Sequence, residues 1–398
     1  MAIRSIALLL ATLPLVLATT IYVSPTGSDT SAGTLTAPLK SIQSAIDKAV
    51  PGDTIYLRGG TYSPSTNIQI KKSGTANSPY TLSAYASETP IIDGEALPST
   101  PAPVGGSVAK ADRGVLHIES ANYWNIIGIT LINGPYGVYV ESSSNNLFER
   151  IVTHDNYETG FQIQGASANN KVYYLDSYMN RDPRKNGESA DGFACKEGSG
   201  EGNVLKGARL WNNVDDGLDL WEFKSSVTVL DTISWGNGFN RWSFPDFAGD
   251  GNGFKLGGGD AADIGPANHN ITNCIAFSNA AKGFTDNKQA GNFVMLRNTA
   301  WNNPQVGFQL QTSVTTLNGN LAVLNAGSSG NAAQISLSSA QKGSGNSWSG
   351  SKVWGNGSLA SVDVALVQGK RGADGRIVVS DFLLPVDGSA VGATTHWA

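Results

Sequence analysis

The feature that most constrains the fold of this 398-residue chain is a short motif that returns about every 24 residues. Each copy is a glycine followed by an apolar, a variable and an apolar residue, and the copies begin at Gly137, Gly160, Gly192, Gly217, Gly253 and Gly307. Strands this short cannot each bury an apolar face alone, but they can if each coil of the chain stacks on the one before. We therefore predict an all-β fold, a parallel β-helix or solenoid.

A second series repeats asparagine with the same period, at Asn156, Asn180, Asn213, Asn237, Asn279 and Asn303. Equivalent positions in stacked coils lie about 4.8 Å apart, so these amides can form a ladder that satisfies buried backbone groups. Asparagine is also common in turns, but six copies in register favour the ladder. The longer intervals hold insertions at 181–190 and 240–251.

The two ends of the repeat differ from its middle. Apolar residues at helical spacing over 39–49 predict a short N-terminal helix that caps the open end of the stack. It stops before the predicted strand 54–57. From 326 onward the repeat is lost. We expect one β-helix domain over 19–325, with 326–398 forming irregular final coils and a C-terminal tail of the same domain.

The termini, charge and cysteines set further limits. Arg4, an apolar run and a small-residue exit predict a signal peptide at 1–18, and no other apolar run is long enough to span a membrane. We therefore expect a secreted, extracellular monomer with Cys195 and Cys274 as buried, unpaired thiols. A net charge of -5 leaves no basic surplus for nucleic acid. An acidic ligand would need a basic patch or a metal cation to bridge it to such a protein.

Superimposing the coils brings acidic residues together. Because a strand has a period of two, the middle residue of each motif should point outward. That outward column reads Gln162, Ala194, Asp219 and Lys255 in successive coils. The residues before each glycine form a second column, which reads Thr159, Asp191, Asp216 and Asn252. With Asp215 beside them, four carboxylates and one lysine gather on one patch of one sheet.

Carboxylates this close repel one another unless something neutralises them. Oxygen ligands select a hard ion, and an exposed cluster with room for six to eight ligands suits Ca²⁺ better than Mg²⁺. Asp-Gly is also a common turn pair, so solvated turn aspartates remain an alternative. Lys255 is then either an ion-paired surface lysine or a general base whose pKa the nearby cation lowers.

These residues carry a resemblance to a known family. The segment Asp191-Gly192-Phe193, the run DDGLDLW from Asp215 to Trp221 and the run GNGFKLGG at 251–258 resemble the polysaccharide lyase family 9 pectate lyases. Those proteins are secreted right-handed parallel β-helix enzymes. The resemblance implies that Lys255 is the catalytic base of a β-elimination in an acidic polysaccharide, polygalacturonate (pectate). It also implies that the Ca²⁺ ligands are Asp191, Asp215, Asp216 and Asp219.

Substrate contacts and other functions stay open at this point. Lys196 and Trp221 occupy the next outward column, where Lys196 could pair with a substrate carboxylate and Trp221 could offer a face to a sugar ring. Arg241, in an insertion, could reach the polymer. One alternative is a β-helix pectin glycoside hydrolase that uses paired aspartates, although its Gly-His-Gly and Arg-Ile-Lys motifs are missing. The other is a non-catalytic, calcium-stabilised polysaccharide-binding β-helix, which would not need Lys255.

Overall fold

The computed structural model describes residues 18–98, 100–101, 103–260 and 264–396. The predicted signal peptide, apart from Ala18, lies outside the described residues. Within them, short parallel strands coil into three sheets, as the repeat predicts. No helix in the described part of the chain is long and apolar enough to cross a membrane.

Each coil contributes one strand to each sheet, and the strands are numbered here in chain order. Sheet 1 contains β1 (Thr20–Val23), β2 (Thr54–Leu57), β5 (Tyr80–Ala84), β8 (Trp124–Ile127), β11 (Leu147–Glu149), β14 (Lys171–Tyr173), β17 (Asn203–Lys206), β20 (Val227–Leu230), β23 (Asn270–Thr272), β26 (Asn292–Leu296) and β29 (Val314–Asn318). Sheet 2 contains β4 (Ile68–Ile70), β7 (Leu116–Glu119), β10 (Val138–Glu141), β13 (Phe161–Ala166), β16 (Phe193–Ser199), β19 (Leu218–Asp219), β22 (Phe254–Lys255), β25 (Phe284–Thr285), β28 (Phe308–Leu310) and β31 (Ile335–Leu337). Sheet 3 contains β3 (Gly60–Tyr62), β6 (Pro90–Asp93), β9 (Thr130–Ile132), β12 (Val152–His154), β15 (Asp176–Tyr178), β18 (Arg209–Trp211), β21 (Ile233–Trp235), β24 (Ile275–Phe277), β27 (Thr299–Trp301) and β30 (Leu321–Val323).

Helices are short and lie mostly towards the ends of the coil stack. Helix α1 (Ile42–Lys48) is the predicted N-terminal cap, and it begins where the Ser41 side chain accepts a hydrogen bond from the Ser44 amide. Helix α2 (Ala365–Gln368) lies in the C-terminal segment. Single turns of 3-10 helix occur at Lys110–Asp112, Pro183–Lys185, Asn325–Gly327, Asn331–Gln334, Ser347–Ser349 and Asn356–Ser358.

The predicted asparagine ladder is present inside the coils. The six predicted residues are joined by amide-to-amide hydrogen bonds of 2.8 to 3.2 Å between Nδ2 and Oδ1. The ladder continues through Asn325 and ends on the Gln334 side-chain oxygen. Two shorter ladders at two other turns were not predicted. One joins Asn146, Asn170 and Asn203 between sheet 2 and sheet 1, and the other joins Asn298, Asn320 and Asn346 at the turn that follows sheet 1. All three ladders satisfy buried amides that the turns leave without backbone partners.

The C-terminal segment folds back along sheet 3. Phe382 packs edge-on against Phe277, with ring centroids 5.2 Å apart, and covers part of an outward-facing aromatic stack that includes Trp235. Cys195 and Cys274 are both buried and unpaired, as predicted. Sheet 2 remains accessible on its outer face, and the predicted acidic residues lie there.

Candidate active site

Four neighbouring strands of sheet 2 position the site. In the observed register Gln162 on β13 pairs with Ala194 on β16, Ala194 pairs with Asp219 on β19, and Asp219 pairs with Lys255 on β22. The register predicted for the outward column is therefore confirmed. Inward neighbours such as Phe254, which is stacked 4.7 Å from Phe284, anchor these strands in the core.

The predicted carboxylates do come together. Side-chain oxygens of Asp191, Asp216 and Asp219 all lie within 4.8 Å of one another, and a second group with the same spacing joins Asp215 and Asp216 to Asp250. The expectation of an exposed cluster is wrong, because the four predicted aspartates are at most 1% exposed. Asp250 was not predicted as a member, since it lies in the 240–251 insertion, which has no repeat.

Two lysines lie among these carboxylates. Lys255 Nζ is 2.8 Å from Asp250, 3.3 Å from Asp216 and 3.4 Å from Asp219. Lys196 Nζ is 2.7 Å from Asp191 and 2.9 Å from Asp219. In this arrangement the Lys196 ammonium pairs with protein carboxylates, and its contact with a substrate carboxylate stays a prediction.

Burial and mutual repulsion shift the acidity of the cluster. Burial, reinforced by the neighbouring Asp219 and Asp216, raises the pKa of Asp191 to about 8 against the opposing pull of Lys196. Burial likewise raises the pKa of Asp216 to about 6 and that of Asp215 well above its ordinary value. Asp219 differs, because its two lysine neighbours outweigh burial and lower its pKa. Without a further positive charge, the cluster therefore tends to hold protons.

Three buried oxygens in the cluster accept no hydrogen bond within the described chain, namely Asp215 Oδ2, Asp216 Oδ2 and Asn252 Oδ1, and of these only Asp216 Oδ2 has an ion-pair partner, the Lys255 ammonium at 3.3 Å. A buried acceptor without a partner costs about 1–3 kcal/mol. All three atoms are hard oxygen ligands, which is the donor type that Ca²⁺ prefers. The residues present therefore fit a hard divalent cation.

The cluster opens into a groove of about 540 Å³ along sheet 2. Lys196, Trp221 and Lys255 line it, and the Trp221 ring centroid is 5.2 Å from Lys255 Nζ. Arg241 is not among the residues that line this groove. Its guanidinium instead donates to Asn212 Oδ1 at 2.8 Å and lies over the Phe239 ring.

The groove also contains residues that sequence reasoning missed. Towards the earlier coils it is lined by Arg113, Tyr136 and Glu158. Arg113 was missed because the repeat is shifted by one residue in the coil that contains β7. Gly114 lies two residues before Leu116, the first residue of β7, whereas the motif places the glycine directly before its strand. Glu158 directly precedes Thr159 of the second column, but nothing in the repeat marks it as facing the groove.

Fold and site together define a class: a parallel β-helix protein with a groove along one sheet that opens onto a buried cluster of carboxylates and lysines. The model of the Pel9A-like, right-handed β-helix region matches residues 21–320. Pectate lyase PEL9 of Emericella nidulans is 63% identical over 411 aligned residues, covering 99% of each chain.

Solved structures agree with the sequence comparisons. The crystal structure of pectate lyase Pel9A superimposes with a TM-score of 0.78 at 29% identity, covering 93% of this chain and 90% of that one. A rhamnogalacturonan lyase superimposes with a TM-score of 0.81 at 25% identity, covering 94% and 99%. The chain belongs to the Pel9A-like right-handed β-helix family, the family 9 pectate lyases, and is an enzyme of that class. The predicted family and right-handed parallel β-helix are thereby confirmed.

Proposed function

We propose that this enzyme is a calcium-dependent pectate lyase that cleaves polygalacturonate by β-elimination, with Lys255 as the base. The observation that carries the proposal is the position of Lys255 Nζ, within 3.4 Å of three carboxylates in an open groove. Two of those carboxylates, on Asp216 and Asp219, belong to the cluster whose oxygens suit a hard cation.

The residues divide the reaction between them. Asp191, Asp215, Asp216 and Asp219 would hold Ca²⁺, which when bound supplies a Lewis acid for the C6 carboxylate of a galacturonate and makes its C5 proton more acidic. Lys255 removes the C5 proton, the C4–O bond breaks, and the product carries a 4,5 double bond. The leaving oxygen takes a proton from water. Trp221 flanks the reacting unit from the wall of the groove.

Because negative carboxylates surround Lys255, it needs a nearby cation to act as the base. Burial lowers the pKa of Lys255, but Asp219 and Asp216 outweigh burial and raise it above the ordinary value. A lysine held in its protonated form cannot accept a proton. Neutralising the carboxylates removes that stabilisation and returns the amine towards the range of a general base. Activity should therefore need the cation and increase with pH.

The test is incubation with polygalacturonate, with and without a calcium chelator, followed by the ultraviolet absorbance of the unsaturated product. We expect absorbance that grows with calcium and is lost in Lys255→Ala. The matched control is Lys171→Ala, which removes an exposed lysine of β14 on sheet 1 and should leave the rate unchanged. Rhamnogalacturonan is the second polymer to include in the assay, because a structurally similar protein is a rhamnogalacturonan lyase.

Four results would contradict the proposal or a part of it. New reducing ends without absorbance would favour a hydrolase, and binding without cleavage would favour a polysaccharide-binding β-helix. Absorbance that is insensitive to Lys255→Ala would assign the base to another residue. Cleavage of rhamnogalacturonan but not of polygalacturonate would support the elimination reaction and contradict the proposed substrate.

We also propose that the enzyme is secreted after removal of residues 1–18 and acts as a monomer on plant cell-wall pectin. The apolar run at 6–17 supports export. We further propose that 19–325 and 326–398 form one domain. This is supported by the packing of the C-terminal segment on sheet 3, where Phe382 and Trp354 join the same apolar cluster as Trp235.

A further inference from the structure

The basic side chains that line the groove are not equivalent. Four of them are already paired with protein carboxylates: Lys196 and Lys255 in the acidic cluster, Arg184 with Glu158 at 3.1 Å, and Lys185 with Glu188 at 3.6 Å. The fifth, Arg113, forms no salt bridge with any residue that the structure describes. It therefore brings to the groove a positive charge that no described carboxylate contacts, although Glu197, which also lines the groove, acts on it from farther away.

The contacts of Arg113 are with neutral oxygens. Its Nη1 lies 3.2 Å from Tyr139 Oη and 3.5 Å from Gln164 Oε1, and its Nε lies 3.5 Å from the Val108 carbonyl. The contact of Nη1 with Gln164 and the contact of Nε with Val108, both 3.5 Å, are long for hydrogen bonds. A guanidinium has five N–H donors in a planar fork that matches a carboxylate, so Arg113 retains donors for a ligand.

Aromatic rings hold this guanidinium in place. Its central carbon is 5.6 Å from the centroid of the Tyr139 ring and 6.0 Å from that of Tyr136. Such contacts stabilise a cation without neutralising it. Gln164 lies on β13, which is three strands from β22 and Lys255. At about 4.8 Å between strands, the two positions are separated by about 14 Å along the groove.

We propose that Arg113 binds the free carboxylate of a second galacturonate unit, beyond the unit that reacts, and so selects polymer that is not methyl-esterified. This inference rests on the proposed lyase function. A methyl ester has no charge to offer the guanidinium, whereas a carboxylate can accept two parallel hydrogen bonds from it. Arg113 is thus assigned a role in specificity, separate from the chemistry at Lys255.

The experiment compares Arg113→Gln with the wild-type enzyme on de-esterified polygalacturonate and on partly methyl-esterified pectin, measuring kcat and KM separately. We expect KM for polygalacturonate to rise about ten- to a hundredfold, the range for losing a hydrogen bond to a charged group, with kcat little changed. KM for the esterified polymer should change much less. Arg113→Lys, which keeps the charge but not the fork, should give an intermediate KM.

Arg297→Gln is the matched control. Arg297 follows β26, is also partly buried, does not line the groove and forms no salt bridge within the described ranges. It should leave both KM values unchanged. Thermal melting of each variant shows whether it is folded.

The inference would be overturned if Arg113→Gln and Arg113→Lys left the preference for unesterified polymer intact, or changed both substrates equally. It would also be overturned if they lowered kcat at constant KM, which is the behaviour of a residue that only positions Tyr139 or Gln164. Wild-type enzyme without eliminase activity would instead contradict the proposed function itself, so the two failures are distinguishable.

Discussion

A buried carboxylate, that of Asp176, links the C-terminal segment to the β-helix. Removing this carboxylate tests which contacts keep the segment in place. Asp176 begins β15 and accepts hydrogen bonds from two guanidinium groups. Arg209, on the next strand of sheet 3, approaches it at 2.6 and 2.8 Å. Arg371, in the C-terminal segment, approaches at 2.6 and 3.1 Å. The three side chains are 8 to 13% exposed.

Asp176→Ala would leave two buried guanidinium groups facing each other without their common anion. Breaking a buried ion pair by removing one partner costs about 3–5 kcal/mol, and two cations are stranded here, so we expect a loss near the upper end of that range. That is a large part of the roughly 5–15 kcal/mol by which folded proteins are stable. Urea denaturation of wild type and variant measures the difference in the free energy of unfolding.

The pH dependence checks the cause. Burial raises the pKa of Asp176, but Arg371 and Arg209 outweigh burial and lower the pKa below its ordinary value of 3.8. Its contribution to stability is therefore present above about pH 4 and is lost as the pH falls through the lower pKa of the folded state. The difference between wild type and Asp176→Ala should shrink in the same way.

The control is Asp374→Ala, which removes the exposed partner of Arg376 at 3.5 Å and should cost at most about 1 kcal/mol. A loss for Asp176→Ala no larger than for Asp374→Ala would refute the reasoning. If the 359–395 segment were as well protected from proteolysis in the variant as in the wild type, other contacts would be holding it in place.

Two further predictions concern the acidic cluster and the amide ladder. Because burial raises the pKa of Asp191 to about 8 and also raises the pKa values of Asp215 and Asp216, binding of Ca²⁺ should release protons, and its affinity should fall as the pH falls below 8. Calorimetry in two buffers of different ionisation enthalpy measures this, and an affinity independent of pH would contradict it. Asn237→Ala removes the 2.9 Å hydrogen bond from its side-chain amide to Asn279 Oδ1 and should lower the free energy of unfolding by about 1–3 kcal/mol. The exposed Asn292→Ala on β26 should have little effect, and equal melting temperatures of the two variants would contradict the ladder.

The repeat predicts the fold because each coil obeys the same local rule. Glycine at the start of each motif sits where the next coil passes closely: a Cβ at Gly192 would lie 2.8 Å from the Gly217 carbonyl oxygen. The asparagine period was readable for the same reason. The two shorter amide ladders were not recognised because each spans only three coils. The ladder that includes Asn203 stops where Val227 takes the equivalent position in the next coil, and there His269 Nδ1 accepts from the Val227 amide.

The repeat predicted which four aspartates come together with Lys255, but it did not predict the environment of the cluster. The strand register fixed the positions of Asp219 and Lys255, which follow the repeat. Burial of the cluster depends on the 240–251 insertion, whose Asp250 amide donates to Asp215 Oδ1 at 2.6 Å. An insertion has no period, so its path and the added carboxylate of Asp250 could not be read from spacing.

The charges of the site explain how an acidic protein can act on an acidic polymer. The five carboxylates of the cluster and the ammonium groups of Lys196 and Lys255 give a formal charge of -3 when all are ionised. Such a site repels a polyuronate, and the raised pKa of Asp191 shows that it resists its own full ionisation. In the proposed function a divalent cation leaves a site of about -1, which a substrate carboxylate can approach if the ion coordinates it directly. Arg113, farther along the groove, then attracts the next part of the chain, so cation and guanidinium together convert a repulsive groove into one that favours unesterified polymer.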